Sequence, residues 1–203
     1  GFADLRVIND DRVQPGKGFS PHSHQDMEII TYVLSGTLAH KDSLGNGSLL
    51  KAGEVQRMTA GTGIRHSEFN PSDVEAVHFL QIWLLPQRKG LSPSYQQRAF
   101  NSQERKGQWQ LFASPDGRDG SVLVHQDAYL WAAQLVAEQS LGFEPLPGRA
   151  CWLQVSQGVL QVNGQMLEAG DGLAIADERL ALEGVSRESE ILLFDLRKPE
   201  PVS

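Results

Sequence analysis

The chain has 203 residues, 40% of them hydrophobic and 21% charged, with a net charge of −7. That mixture belongs to a globular protein and excludes a disordered one; with no run of Lys or Arg, it also argues against a nucleic-acid footprint. The single cysteine, Cys151, excludes a disulfide framework within the chain, no apolar run reaches the length of a membrane span, and nothing reads as a signal peptide, so the expected location is the cytoplasm.

In chain order, short apolar runs recur between Gly and Asn turns at 28–34, 36–40, 48–51, 55–58 and 77–85. Runs of this length and punctuation predict antiparallel strands of a sandwich or barrel. Asp42–Gly47 has the chemistry of a hairpin turn. Pro86 closes the set, and residues 87–106, polar and carrying Pro93 and Asn101, predict a covering connector. Ser114-Pro-Asp-Gly-Arg-Asp-Gly120 marks a boundary. A second set follows at 122–125, 129–136, 151–155, 159–162, 173–175 and 191–196. It echoes the first: Val33-Leu-Ser-Gly-Thr-Leu38 matches Val155-Ser-Gln-Gly-Val-Leu160, and Leu50-Lys-Ala-Gly-Glu54 matches Leu167-Glu-Ala-Gly-Asp171. The expected organisation is two copies of one β unit, residues 1–113 and 114–203.

Two pairs carry the chemistry: His22-Ser-His24 and His66-Ser-Glu68. On an extended strand, residues i and i+2 point to one face about 7 Å apart, so each pair aims two ligands at one point. Three imidazoles and a carboxylate suit iron, manganese, cobalt, nickel or copper. Four protein ligands on an octahedral ion leave two positions free, which predicts a catalytic centre. Placing Gly36 on Gly158 puts His22, His24 and Glu28 at Glu144, Leu146 and Ala150; placing Gly53 on Gly170 puts His66 and Glu68 at Glu183 and Val185. The second unit therefore lacks a ligand set, and one metal per chain is expected.

Of the other histidines, His40 beside a turn is expected to be solvated, His78 packed or hydrogen-bonded in the core, and His125 engaged in a structural hydrogen bond. Gly61-Thr-Gly63 lacks the Lys-Ser/Thr pair of a phosphate loop and predicts a tight turn that sets His66. Phe19, Met58, Ile64, Phe79 and Trp83 are the apolar residues from which a slot for a planar substrate would be built. Cys151, in an apolar run, reads as a small buried hydrophobe.

Gly16-Lys-Gly-Phe-Ser-Pro-His22-Ser-His24-Gln-Asp-Met-Glu28 resembles the first cupin signature, although Gly36 falls one residue late. Gly53 to Asn70 resembles the second, with Thr59 in place of the usual Pro and two extra residues between Gly61 and His66. Those departures, with Met58-Thr-Ala-Gly-Thr-Gly-Ile-Arg-His-Ser-Glu68 and Thr31-Tyr-Val-Leu-Ser-Gly36, are similar to the pirins, specifically the bacterial quercetinase-like branch. Leu80-Gln-Ile-Trp83, Val124-His-Gln-Asp127 and Asp171-Gly-Leu-Ala-Ile175 extend the resemblance over essentially the whole chain. It implies an all-β bicupin of two antiparallel, jelly-roll-like β-barrels, with a strand region upstream of Phe2 that this sequence lacks. One metal, expected to be iron(II), would lie in the N-terminal domain.

The implied activity is quercetin 2,3-dioxygenation: the metal polarises a flavonol hydroxyl, a carboxylate takes its proton, and O2 opens the ring with loss of carbon monoxide. Glu68 is the leading base, although metal contact would weaken it. Glu28 competes with Glu68 as fourth ligand, because on a regular strand it shares the His22/His24 face; the pirin pattern favours Glu68 and leaves Glu28 to orient an imidazole. Two other readings stand beside this one. Eukaryotic relatives imply a metal-dependent redox sensor acting through a protein partner, without direct nucleic-acid binding. A cupin isomerase of an anionic substrate would need Arg57 or Arg65 near the metal.

Overall fold

The computed structural model describes residues 1–176 and 178–198; the last five residues of the expected second domain, 199–203, lie outside them. Two compact units divide the chain. The first comprises Gly1, Ala3–Phe100 and Pro115–Gln126; the second takes Phe2, Asn101–Ser114 and the chain from Asp127 onward. Segments 101–113 and 115–126 are thus exchanged relative to a single cut after residue 113.

The first unit holds β1 (Leu5–Val13), β2 (Gly18–His24), β3 (Glu28–Ser35), β4 (Thr37–Asp42), β5 (Gly47–Lys51), β6 (Glu54–Thr59), β7 (Ile64–Phe69), β8 (Val77–Leu84) and β9 (Ser94–Ala99). Of the next two strands, β10 (Gln110–Ser114) belongs to the second unit and β11 (Val122–Leu123) to the first. The rest of the second unit follows: β12 (Ala128–Leu135), β13 (Ser140–Phe143), β14 (Arg149–Gln157), β15 (Val159–Val162), β16 (Gln165–Glu168), β17 (Gly172–Ala176), β18 (Leu180–Gly184) and β19 (Ser189–Arg197). Among the described residues no helix is long and apolar enough to cross a membrane.

In the first unit, sheets ordered β1-β8-β3-β6-β9 and β2-β7-β4-β5 enclose Val13, Val33, Leu38, Leu50, Val77 and Phe79, drawn from both. In the second, β10-β12-β19-β14-β17 and β13-β18-β15-β16 enclose a core that includes Leu135, Leu153, Leu160, Leu182 and Leu193. The fold is all-β. Among the described residues none of the sheets closes on itself, so each unit is a pair of facing open sheets where a barrel was expected.

The sequence echo has a physical origin. Gly36 and Gly158 stand where the chain leaves one sheet for the other, between β3 and β4 and between β14 and β15, with φ of 76° and 78°. A Cβ on Gly36 would lie 2.7 Å from the Ala76 carbonyl oxygen, and one on Gly158 would meet the Glu188 carbonyl. Only glycine fits a left-handed residue at such a crossing. The expected connector 87–106 instead contains β9, which pairs with β6 along the sheet edge. Its polar sequence reflects half-exposure at that edge, where charged residues are favoured.

Candidate metal centre

β2 and β7 pair antiparallel with His22 opposite His66, across an irregularity between Phe19 and His22. Along β7 burial alternates, so Ile64, His66 and Glu68 point inward while Arg65 and Phe69 face out. The turn at Gly61-Thr-Gly63 sets this register: the Gly63 amide donates to the Ala60 carbonyl at 2.9 Å immediately before β7 begins. The imidazole centroids lie 4.8 Å (His22–His24), 4.5 Å (His22–His66) and 5.0 Å (His24–His66) apart, and their ligand nitrogens fall within 4.8 Å of one another.

His22 Nδ1 lies 2.8 Å from the Ser20 carbonyl. A carbonyl only accepts, so Nδ1 carries the hydrogen and Nε2 offers its lone pair. His24 Nε2 and both ring nitrogens of His66 are buried without a hydrogen-bond partner. Burial holds the His66 imidazolium down to about 4, and the positive neighbours His22, His24 and His40 push the same way against Glu68. Burial and His22 likewise lower His24. His24 and His66, held neutral, present unpartnered nitrogens of the kind a transition ion takes, and each would otherwise be a costly orphan. The residues fit a metal.

Glu68 is 1% exposed and belongs to a second close group, with His66 and His40. Its Oε2 accepts from Gln81 at 2.8 Å and its Oε1 from Gln56 at 3.3 Å. Burial raises its pKa, but the His40 ring, the charge of His66 and the Gln56 amide outweigh that, so Glu68 stays below the usual carboxylate range. Gln81 also accepts from Trp83 Nε1 at 3.1 Å, and Trp83 meets the His24 ring edge-on at 5.1 Å.

Glu28 is placed elsewhere. The regular strand that would have carried it onto the His22/His24 face is interrupted at Asp26, which is left-handed at φ 48°, and Glu28 enters the opposite sheet. Three residues on, Thr31 turns inward, where its hydroxyl accepts from the Gln56 amide that also reaches Glu68; Glu28 therefore faces the other way. Its Oε2 accepts from the His125 backbone N–H at 3.2 Å and lies 3.4 Å from His125 Nδ1. The expected partnership with a ligand imidazole is thus a partnership with His125, which makes the structural bond expected of it. His78 bonds Asp10 at 2.7 Å, as expected of a buried histidine.

His40 corrects the reading of a solvated side chain. It is 2% exposed, opposite Glu68 across β4 and β7, and nothing in its sequence neighbourhood marks it except the i, i+2 partner Asp42. Among the apolar candidates, Met58 and Ile64 form a cluster against which Trp83 and Met27 pack, Phe79 belongs to the separate core, and Phe19 is exposed. Arg57 is buried and donates to the Leu123 carbonyl, Thr59 and Ser94; Arg65 is exposed. The second unit's counterparts also shift. Counted from the shared glycines, His40 corresponds to Val162, whose cross-strand partner is Leu182. Leu182 thus answers Glu68, Leu180 answers His66, and Phe143 opposite Leu180 answers His22. The earlier offset had pointed to Glu183 and Val185, which are exposed.

The Pirin family profile matches residues 2–84, and a quercetinase C-terminal cupin domain matches residues 111–196. The chain belongs to the pirin family. A quercetin 2,3-dioxygenase of Escherichia coli K12 is 48% identical over 196 residues, spanning 97% of this chain and 84% of that protein. A pirin-like protein of Caulobacter vibrioides is 40% identical over 192 residues, 94% of this chain and 82% of its own. Among solved structures, the E. coli pirin YhhW in complex with nickel(II) superposes with a TM-score of 0.91 at 48% identity, covering 98% of this chain and 85% of that one. This pirin is therefore a quercetinase-like bicupin by family, with its polar centre in the first unit.

Proposed function

We propose that this pirin is a metal-dependent dioxygenase that opens a flavonol or related polyphenol with O2 and releases carbon monoxide. The observation that carries the reading is the convergence of three imidazoles, with His24 Nε2 and both His66 nitrogens unpartnered, beside a buried carboxylate, and the similarity to the E. coli quercetin 2,3-dioxygenase supports it. His22, His24 and His66 would hold the ion, with Glu68 as fourth ligand. A bound divalent ion supplies Lewis acidity toward a substrate hydroxyl; we assign iron(II), and the nickel(II) in the E. coli pirin supports a donor set open to other first-row ions.

The chain's own residues do the rest. Glu68, kept ionised, takes the hydroxyl proton, and when it does so the Gln81 and Gln56 amides still hold the carboxyl in place. Trp83, against His24, offers a flat apolar wall to a planar ring. Flavonol plus O2 yields a ring-opened ester and carbon monoxide, so no outside reductant is needed. The isomerase reading loses its anion-binding groups, because Arg57 is saturated inside the fold and Arg65 faces outward.

The test is oxygen uptake and carbon monoxide release on adding quercetin to iron(II)-loaded protein, beside a His66→Ala variant. Uptake that vanishes in the variant supports the proposal. No uptake with metal demonstrably bound overturns it.

A further inference from the structure

A second polar chain runs beside the three histidines, and the reaction proposed above leaves it without a task. His40 and Asp42 lie opposite Glu68 and His66 across β4 and β7, and all four are buried. His40 Nε2 is 3.1 Å from Asp42 Oδ2. Asp42 is itself clamped by its turn, accepting from the backbone N–H of Leu44 at 2.9 Å and of Asn46 at 3.1 Å, and from Asn46 Nδ2 at 2.9 Å. The Tyr95 ring stacks on the His40 ring at 5.0 Å and 26°, and its hydroxyl is tied to Ser48 at 2.5 Å and Gln97 at 2.9 Å. So gripped, the imidazole has no freedom to turn. Its remaining nitrogen, Nδ1, is buried without a hydrogen-bond partner and faces Glu68 Oε1 at 3.9 Å.

We propose that the Asp42–His40 pair is a positioning device for Glu68. Together with Gln81 and Gln56 it forms a seat for the carboxylate beside the three-histidine point, and the seat sets how far Glu68 leans toward a bound ion. His40 is a positioning residue, acting only through Glu68. The inference rests on the metal-centre reading but not on the flavonol.

The experiment uses cobalt(II) as probe in the full chain, with the dissociation constant measured by chelator competition and the visible absorption bands recorded. His40→Leu, which imports the apolar character of Val162, is expected to raise the Kd by about 10–100-fold and shift the bands. His40→Asn, whose amide can stand near the Nδ1 position, recovers part of the loss. In a Glu68→Gln background, His40→Leu changes the Kd by less than about threefold, because the two residues form one chain. If His40→Leu does not fold, Asn46→Ala loosens the same clamp and is expected to raise the Kd by a smaller factor. A folded His40→Leu with wild-type Kd and bands, an undiminished effect in the Glu68→Gln background, or an Asn46→Ala without effect overturns the proposal. Failure of quercetin turnover with these couplings intact would remove the substrate reading alone.

Discussion

Strands β1–β8 are answered one for one by β12–β19: β1-β8-β3-β6 matches β12-β19-β14-β17, and β2-β7-β4-β5 matches β13-β18-β15-β16. The two units differ in what fills the space between those sheets. Where the first has His22, His40, His66 and Glu68, the second has Phe143, Val162, Leu180 and Leu182. Strand order and the sheet-switching glycines therefore tolerate either filling. What the interior demands is satisfaction, by apolar contact in one unit and, in the other, by hydrogen bonds to Ser20, Asp42, Gln56 and Gln81 together with the ion of the proposed reading.

Exchanging the fillings is the sharpest way to break that comparison. His66→Leu should lower metal affinity well over ~100-fold, more than the loss of an outer partner does. The metal-free protein should meanwhile gain or hold stability, by up to about 1–3 kcal/mol, because a partnerless buried group has gone; chelator competition and denaturant melts read the two effects. The reverse exchange, Leu182→Glu, buries a carboxylate without partners and should cost about 3–5 kcal/mol in urea unfolding. Retained stability there would mean that the second unit's interior is not the apolar core described.

Acid should separate the units as well. Burial first, and the positive neighbours second, depress His66 from the ordinary 6.5 to about 4, so the folded metal-free protein resists a proton that the unfolded chain accepts. Its contribution is complete above pH 6.5 and is lost as pH falls toward 4, on the order of 3 kcal/mol. The lowered Glu68 works in the same sense at lower pH, while His40, raised because Glu68 and Asp42 outweigh its burial, works in the opposite one. Melts of metal-free protein from pH 7 to 4.5 should therefore fall, and fall less in His66→Leu. Smaller still, Gly36→Ala and Gly158→Ala should each cost about 1–3 kcal/mol, testing what the units share; a neutral change at either would contradict the common crossing. Least of all, the Cys151 thiol, pushed up to about 12 by burial and by Asp195, should resist iodoacetamide at pH 8 until the chain unfolds.

The legible parts of this molecule were those where one residue type has one use. The His-x-His and His-x-Glu spacings, the turn glycines and the apolar strands β3, β8, β14 and β19 announced themselves, because their chemistry is local. β2 and β7 carry His22, His24, His66 and Glu68 on the inward positions where hydrophobes would ordinarily advertise a strand, so no apolar alternation marked them. The edge strand β9 is polar because half of it meets water. His40 and Glu28 were misplaced for a different reason: which sheet a residue joins is set by Asp26 and by cross-strand register, and neither can be read from spacing alone. His40-x-Asp42 did repeat the i, i+2 pattern of His22-x-His24 and His66-x-Glu68, which was the one signal available.

The most direct test is anomalous diffraction from crystals grown with nickel(II). The account predicts one peak per chain, about 2.0–2.2 Å from nitrogens of His22, His24 and His66, and none between the sheets of the second unit. A peak in the second unit, or an ion that bypasses His66, would contradict it.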